Sequence, residues 1–456
     1  MSTKQPNRRQ FLKAATAAGI AAGAASLPSR VRANEPTGRK GKKFVVAMMG
    51  IGIRGKDLFR LIGKRDDVEV AYLAEPDQNR WKDATDIIQK ESIPQNPKFV
   101  KDFRTILDDK RIDAIFNATP DHWHALGTIS ACQAGKDVYS EKPASHTPWE
   151  GRQMVKAARK YNRIVQHGTH TRSGDYAHAA VEYIKSGKLG DVHLARIVNM
   201  KEWKPIGHKE DAPTPEGFDY NLWTGPAPLK PYNPNRAHYR WHWWWDFSGG
   251  DIINDGIHQV DLARWLIGKD FPKSVSAGGS RHYDHDGQTP DTQVVTWEFD
   301  NNLTLVFEMA LWTPYMKKLS WDKRQPYTFP NWPFDGMRIE IYGTKGLMYF
   351  ARHGGGWQVF DESSETKPVA QQGDVKLDAK HLDNFFDCME SRKTPNADIE
   401  EGHRSTLLSQ MGNISYRCGG RKLLFDPTTE SFPNEPDANA LLKRTYREGF
   451  VVPDEV

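Results

Sequence analysis

Cysteine is scarce in this chain. Three occur in 456 residues, Cys132, Cys388 and Cys418. They form no C-x-x-C pair and no metal-like cluster, which argues against a disulfide framework or a zinc site. Long apolar runs are also missing. None reaches the roughly 18–20 residues that a membrane-spanning helix needs. There is no internal repeat. Positive charge is short as well, once it is located along the chain. The formal charge is +5, but residues 1–33 hold six basic residues (Lys4, Arg8, Arg9, Lys13, Arg30 and Arg32) and no acidic ones. Without them the +5 becomes −1. The basic balance therefore gives no ground for nucleic-acid binding.

What stands at the N-terminus is "NRRQFLKAATAAGIAAGAASLPSRVRAN". The Arg8–Arg9 pair, the following Phe11-Leu12-Lys13, a weakly apolar Ala/Gly stretch and Val31-Arg32-Ala33 look like a twin-arginine signal peptide. A short amphipathic helix is the alternative. The expectation is a signal over residues 1–33, recognised by the twin-arginine export machinery, a linker over 34–42, and an exported, periplasmic protein. That route moves folded proteins, so a chain folded in a reducing cytoplasm has little use for disulfides. It also allows a cofactor to be loaded before crossing.

From residue 43 a strand–helix alternation begins. "FVVAMMG", "VEVAYLA", "RIDAIFNATP", "DVYSEKP" and "RIVQHG" read as strands with helices between them. Thr147-Pro148-Trp149-Glu150 is a capping box with Pro at the first helical position. This spacing predicts a parallel, doubly wound sheet over 43–168. Residues 203–247 are rich in Pro, Trp, Asn and Gly. After a helix at His258–Leu266 come six strand-like runs, from "SVSAGGS" to "WQVF", and two terminal helices. Residues 169–456 thus read as an α/β domain on a large, mostly antiparallel sheet.

Gly50-Ile51-Gly52-Ile53-Arg54-Gly55 is G-x-G-x-x-G, placed directly between a strand and a helix. The first Gly permits a tight turn, the second a close approach to pyrophosphate, and the third close helix–strand packing. Glu75 ends the next strand. A carboxylate there accepts ribose hydroxyls and repels a 2′-phosphate, which favours NAD over NADP. Nearby Arg80 weakens that preference and keeps NADP as the alternative. An ordinary Gly-rich turn that binds no dinucleotide is the competing reading.

At "ATPDHWHALGTISACQAGKDVYSEKP" the chain resembles the Gfo/Idh/MocA oxidoreductases. "VQHGTHTRSG", "SGKLGDV", "NLWTGPAP" and "GIHQVDLARW" extend the likeness over about residues 43–425. The resemblance implies a Rossmann domain followed by an α/β domain with an open sheet, and homo-oligomerisation through that sheet. It implies cofactor contacts at Gly50, Gly52, Ile53, Arg54, Gly55, Glu75 and Arg80, at Thr119, Pro120 and His122, and at Glu141 and Lys142. It places Lys142 between nicotinamide and substrate, with a cis Lys142–Pro143 peptide. An ammonium there stabilises developing alkoxide charge. His258 matches the family's histidine and is expected as general base. The family's usual Asp is replaced by Asn254, which can orient a substrate but carries no charge; the neighbouring Asp255 is expected to compensate. His170 and Arg172 follow the last strand of the first domain and are expected substrate contacts. No metal is implied.

A lysine and a histidine beside a nicotinamide suggest oxidation of a secondary alcohol. The 15 Trp suit a sugar, glycoside or cyclitol, because indole faces stack on sugar C–H faces. Trp243, Trp244 and Trp245 stand side by side. Three successive side chains cannot all face one core, so the run is expected to form a substrate wall, with Trp244 as the contact, or a subunit contact. An exported dehydrogenase has no free NAD pool to draw on, which points to tightly bound cofactor. The second reading is an NAD-dependent glycosidase or lyase that oxidises transiently, eliminates and reduces again. The third is a non-catalytic binding protein.

Overall fold

The structure is a computed structural model. It describes residues 42–314, 335–351, 355–364, 366–373 and 377–456. The expected signal peptide, and the expected linker up to residue 41, lie outside these. Everything below concerns the unit Gly41–Val456.

Six strands, β1 (Phe44–Met49), β2 (Val68–Ala74), β3 (Lys98–Val100), β4 (Ala114–Asn117), β5 (Asp137–Ser140) and β6 (Val165–His167), form one sheet. Their order is β3-β2-β1-β4-β5-β6 and every pairing is parallel. The alternation of side chains along β1 divides the core. Phe44, Val46 and Met48 enter one apolar cluster, Ala47 and Met49 the other, as a strand with helices on both faces requires. The 148–160 helix starts with the predicted capping box. Thr147 Oγ1 accepts from Glu150 N and the Glu150 carboxylate accepts from Thr147 N. Such a cap is worth about 1 kcal/mol.

The second sheet has nine strands: β7 (Val192–Met200), β8 (Ser274–Ser280), β9 (Thr292–Glu298), β10 (Thr304–Ala310), β11 (Met337–Gly343), β12 (Gly346–Ala351), β13 (Trp357–Phe360), β14 (Ala370–Gln372) and β15 (Leu423–Leu424). The order is β14-β13-β12-β11-β7-β10-β9-β8-β15. Only the β7–β10 pairing is parallel; the others are antiparallel. The six expected strand runs are all present. The central strand β7 was not anticipated, although "SGKLGDV" leads into it. Between β9 and β10, Asn301 and Asn302 take φ 65° and 57°, the left-handed conformation that Asn tolerates in such turns.

The chain then returns to the first sheet. Helix Leu377–Ser391 packs Leu382, Phe385 and Phe386 into the same cluster as Phe44 and Phe116. Phe385 meets Phe116 edge-on at 5.6 Å between centroids. A segment read from sequence as part of the second domain thus completes the core of the first.

Candidate active site

In an open parallel sheet of this order, ligands bind beyond the C-terminal strand ends where strand order reverses. Here that point lies between β1 and β4, and a cleft of about 300 Å³ opens there. One wall carries the Gly-rich loop. Gly50 has φ +85°, and a Cβ on it would lie 2.6 Å from Ala118 O. A Cβ on Gly55 would lie 2.1 Å from Gly50 O. These two glycines are demanded by packing. Gly52 differs: a Cβ there would meet only Arg80 Nη1, at 3.7 Å, so its backbone faces open cleft. Helix Ile53–Gly63 starts immediately after it, pointing its free N–H groups outward. Ile53 and Arg80 line the same wall.

Glu75 lies at the end of β2. Its Oε2 accepts from Ile51 N at 2.9 Å and its Oε1 from Asp77 N at 3.2 Å. Burial pushes its carboxyl above the ordinary range, against those two bonds. The loop, the helix start and this carboxylate fit a dinucleotide: backbone donors for pyrophosphate, an acceptor for ribose hydroxyls. Arg54, also in the cleft lining, pairs with Glu141 Oε1 and Asp378 Oδ1, each at 2.7 Å. Burial alone would raise Glu141, but the adjacent guanidinium holds its carboxyl below the usual value.

The other wall is assembled from distant segments. Lys142 follows β5, and its peptide to Pro143 is cis. Its Nζ donates to Asn254 O at 2.7 Å and Asn254 Oδ1 at 3.2 Å. Tyr239, with φ +70°, stands beside Asn254. Burial, together with Asp255 and Asp251, pushes its phenol up to about 12. His242 is stacked on Trp241 at 3.6 Å between centroids. Burial, with the charge of Lys142, pushes its imidazole down to about 3. Asp121, at the start of helix Asp121–Gln133, completes this wall. Thr119 and Pro120 lead into it.

The structure therefore brings together Gly50, Gly52, Ile53, Arg54, Glu75, Arg80, Thr119, Pro120, Glu141, Lys142 and Asn254. It sets other expected residues behind the lining. His258 is 6% exposed and faces His170, with ring centroids 5.4 Å apart; neither lines the cleft. Asp255 is held by Lys201, which also binds Asp251 at 2.7 Å. Lys201 thus ties the Asp255 carboxylate to that of Asp251. Arg172 is corrected to a structural role: it is buried, with both Asp261 oxygens 2.9 Å from its Nε. His122 turns into the core, its Nε2 3.0 Å from Trp223 O.

Trp244 is likewise corrected. It belongs to the core, 7% exposed, and its indole N–H donates to Asn235 O at 2.7 Å. Trp243 is 5% exposed and packs edge-on to Trp203. Trp245 alone points elsewhere, half-buried under Arg417. Trp241, two residues before the run, lines the cleft, as do Trp123 and Trp223. The sequence reading missed Asp121, Tyr239, Trp241 and His242. The signal for Asp121 was its place right after Thr119-Pro120 at the end of a strand. Nothing local distinguished Tyr239 or His242.

Known proteins agree with this architecture. Residues 44–169 match the family model described as an oxidoreductase family with an NAD-binding Rossmann fold. Residues 229–349 match the GFO/IDH/MocA C-terminal domain, and 357–452 the oxidoreductase family C-terminal alpha/beta domain. An uncharacterized oxidoreductase, YrbE, of Bacillus subtilis is 24% identical over 307 residues, 67% of this chain and 73% of its own length. Myo-inositol 2-dehydrogenase of Thermotoga maritima is 22% identical, covering 71% of this chain and 80% of its own. A solved levoglucosan dehydrogenase in complex with NADH and levoglucosan superposes with a TM-score of 0.62 at 18% identity, over 84% of this chain and 99% of that one. At such identities the likeness carries the fold. With three models of one family lying along most of residues 44–452, a 3-2-1-4-5-6 parallel sheet and the Gly50–Gly55 cradle facing Lys142, the chain belongs to the Gfo/Idh/MocA oxidoreductase family.

Proposed function

We propose that this protein oxidises a secondary hydroxyl of a sugar, glycoside or cyclitol, using NAD that it holds tightly. The observation that carries this reading is the position of Lys142. Its ammonium stands in the cleft across from the dinucleotide cradle, fixed by two acceptors of Asn254. The relatives named for inositol and levoglucosan support the substrate class. The Gly50–Gly55 loop would hold the pyrophosphate and Glu75 the ribose hydroxyls, which favours NAD over NADP. When bound, the nicotinamide supplies the hydride acceptor. Lys142 donates a hydrogen bond to the substrate oxygen and stabilises charge that develops there. Asn254 keeps Nζ aimed, and Trp241 offers an apolar face for sugar C–H groups.

The twin-arginine pattern supports export, and export supports a bound rather than a diffusing cofactor. The half-exposed face of the nine-stranded sheet is the surface we assign to self-association. The test is to purify the mature protein, denature it, and identify released nicotinamide nucleotide by absorbance and mass. Recovery of none sinks the bound-cofactor part. Sugars and cyclitols are then offered: a keto product with reduced cofactor supports the reading, whereas NAD-dependent release of aglycone from aryl glycosides favours the glycosidase.

A further inference from the structure

Four carboxylates line the cleft: Glu75, Asp102, Asp121 and Glu141. Three are committed. Glu75 accepts two backbone N–H groups. Asp102 is gripped by Arg104 at 2.7 Å, and Glu141 by Arg54 at 2.7 Å. Asp121 is different. It is 3% exposed, and its Oδ2 accepts the hydroxyl of Ser248 at 2.5 Å. A neutral hydroxyl leaves the carboxyl free to exist in either protonation state, because a protonated Asp121 can reverse the bond and donate to Ser248 Oγ.

Ser248 has a second face. It also lines a small cavity of about 50 Å³ on the far side, between the His146–Pro148 turn, the Trp245–Gly249 loop and helix Ile399–Arg417. Two buried atoms of that lining's side chains have no hydrogen-bond partner: His146 Nδ1 and Gln410 Oε1. Nε2 of His146 lies 2.9 Å from Trp245 O and so carries the proton, which makes Nδ1 an acceptor. Gln410 Nε2 donates to Ser145 O at 3.0 Å, so its free atom is an acceptor too. Two unanswered acceptors in a space of this size suit water.

We propose that Asp121 and Ser248 form a proton relay from the cleft to this second cavity, with Asp121 as the group that takes the substrate's hydroxyl proton. The proposal rests on the dehydrogenase reading for the identity of the proton donor. The balance is simple. The substrate C–H bond breaks with its electron pair leaving as hydride to the bound nicotinamide as oxidant. The O–H bond breaks with its proton passing to the Asp121 carboxylate. Asp121 then donates to Ser248 Oγ as the Ser248 proton passes to cavity water, which restores the carboxylate. Burial pushes the Asp121 carboxyl up to about 7, against the Ser248 bond and the charge of Lys142. The imidazoles around it are neutral. Burial holds His122 and His242 down to about 3, and His124 and His146 below their ordinary value. Arg444, behind the helix, is occupied by Glu150. The protons can therefore rest on Asp121 and on none of these imidazoles near neutral pH.

Infrared difference spectra of the NAD-loaded protein across neutral pH test the relay. The expected result is a protonated-carboxyl band that titrates near neutrality and is absent in Asp121→Asn. In Ser248→Ala the band should remain but re-equilibrate about tenfold more slowly after a pH jump, a modest fraction of what a positioned proton-transfer group supplies. NAD binding by both variants reports their folding. A band that survives in Asp121→Asn, or wild-type re-equilibration in Ser248→Ala, overturns the relay. In turnover on methyl β-D-glucopyranoside, Asp121→Asn should lose about 100-fold and also lose the acid limb of its pH profile. Wild-type turnover with an unchanged profile overturns Asp121 as acceptor. If the wild type oxidises no sugar or cyclitol while the infrared pattern holds, the proposed activity fails and the relay stands.

Discussion

The two walls of the cleft are built in different ways. The cofactor wall is local. Gly50, Gly52, Gly55, Glu75 and Arg80 fall within about thirty residues, and backbone geometry does most of their work. The opposite wall is assembled from three distant places: Asp121 and Lys142 just beyond strands of the first sheet, Tyr239–His242 at the start of a short 3-10 turn, and Asn254 in a short helix. Its function depends on side-chain chemistry in a buried setting, where a lost partner or a shifted proton costs more than on a surface. The first wall is a motif, the second a consequence of the whole fold.

The largest expected effect breaks the assembled wall and spares the local one. Lys142→Ala should abolish most turnover, by about 10³-fold, while bound nicotinamide nucleotide is retained. Steady-state kinetics beside cofactor quantification will show this; retained activity would remove Lys142 from the chemistry. The converse is Gly50→Ala. A methyl group 2.6 Å from Ala118 O, on a residue at φ +85°, should cost about 2–3 kcal/mol of stability. Cofactor binding should fall with it, as read by denaturant unfolding and nucleotide recovery.

Acid should weaken the fold through its buried imidazoles, of which His242 alone lines the assembled wall. Burial holds His122, His242 and His381 near 3, with each imidazole neutral in the folded state. Their unfolded values lie near about 6.5. Between those limits the unfolded chain binds more protons, so stability falls as pH drops from about 6.5 toward 3. Thermal unfolding against pH should show this decline, and a flat profile there would contradict neutral burial of the three rings. The smallest effect is the most informative about the family resemblance. Asn254→Asp places the family's usual carboxylate 3.2 Å or so from Lys142 Nζ. An ion pair at that place should raise the lysine's affinity for its proton and change turnover by no more than about tenfold. A pH–rate profile that does not move would mean that residue 254 acts through its main-chain oxygen alone.

The first sheet was legible because its periodicity is local. Short apolar strands, capped helices and a Gly-rich turn each carry their own signal, and the Thr147 capping box formed with both of its bonds. Strand β7 was harder. Its sequence, VHLARIVNM, mixes charge and apolar residues because one face buries Ala195 and Ile197 while the other carries half-buried Arg196, which pairs with Glu308 of β10. The 377–391 helix was found, but not its partner: an amphipathic face states that it is covered, not by what. Among site residues, Lys142 and Asn254 were legible through the resemblance. His258, Arg172 and Trp244 were legible as polar or aromatic residues near the right turn, yet are buried behind the cleft lining, and Asp255, partly exposed, is paired with Lys201. A residue shifted by one position on a helix turns by about 100°, which is enough to move it from a cleft wall into a core.

By itself the amino-acid order determined the doubly wound sheet, the place of the dinucleotide cradle, and the argument that three adjacent indoles could not share one core. The tertiary structure decided which of those indoles was left out. Trp243 and Trp244 are buried, Trp245 turns away, and Trp241 faces the cleft. It also decided which carboxylate stands unpaired with a cation beside Lys142. Local sequence sets backbone conformation through sterics and short-range hydrogen bonds. Burial, partner choice and protonation are set by groups more than a hundred residues apart, which meet only when the chain has packed.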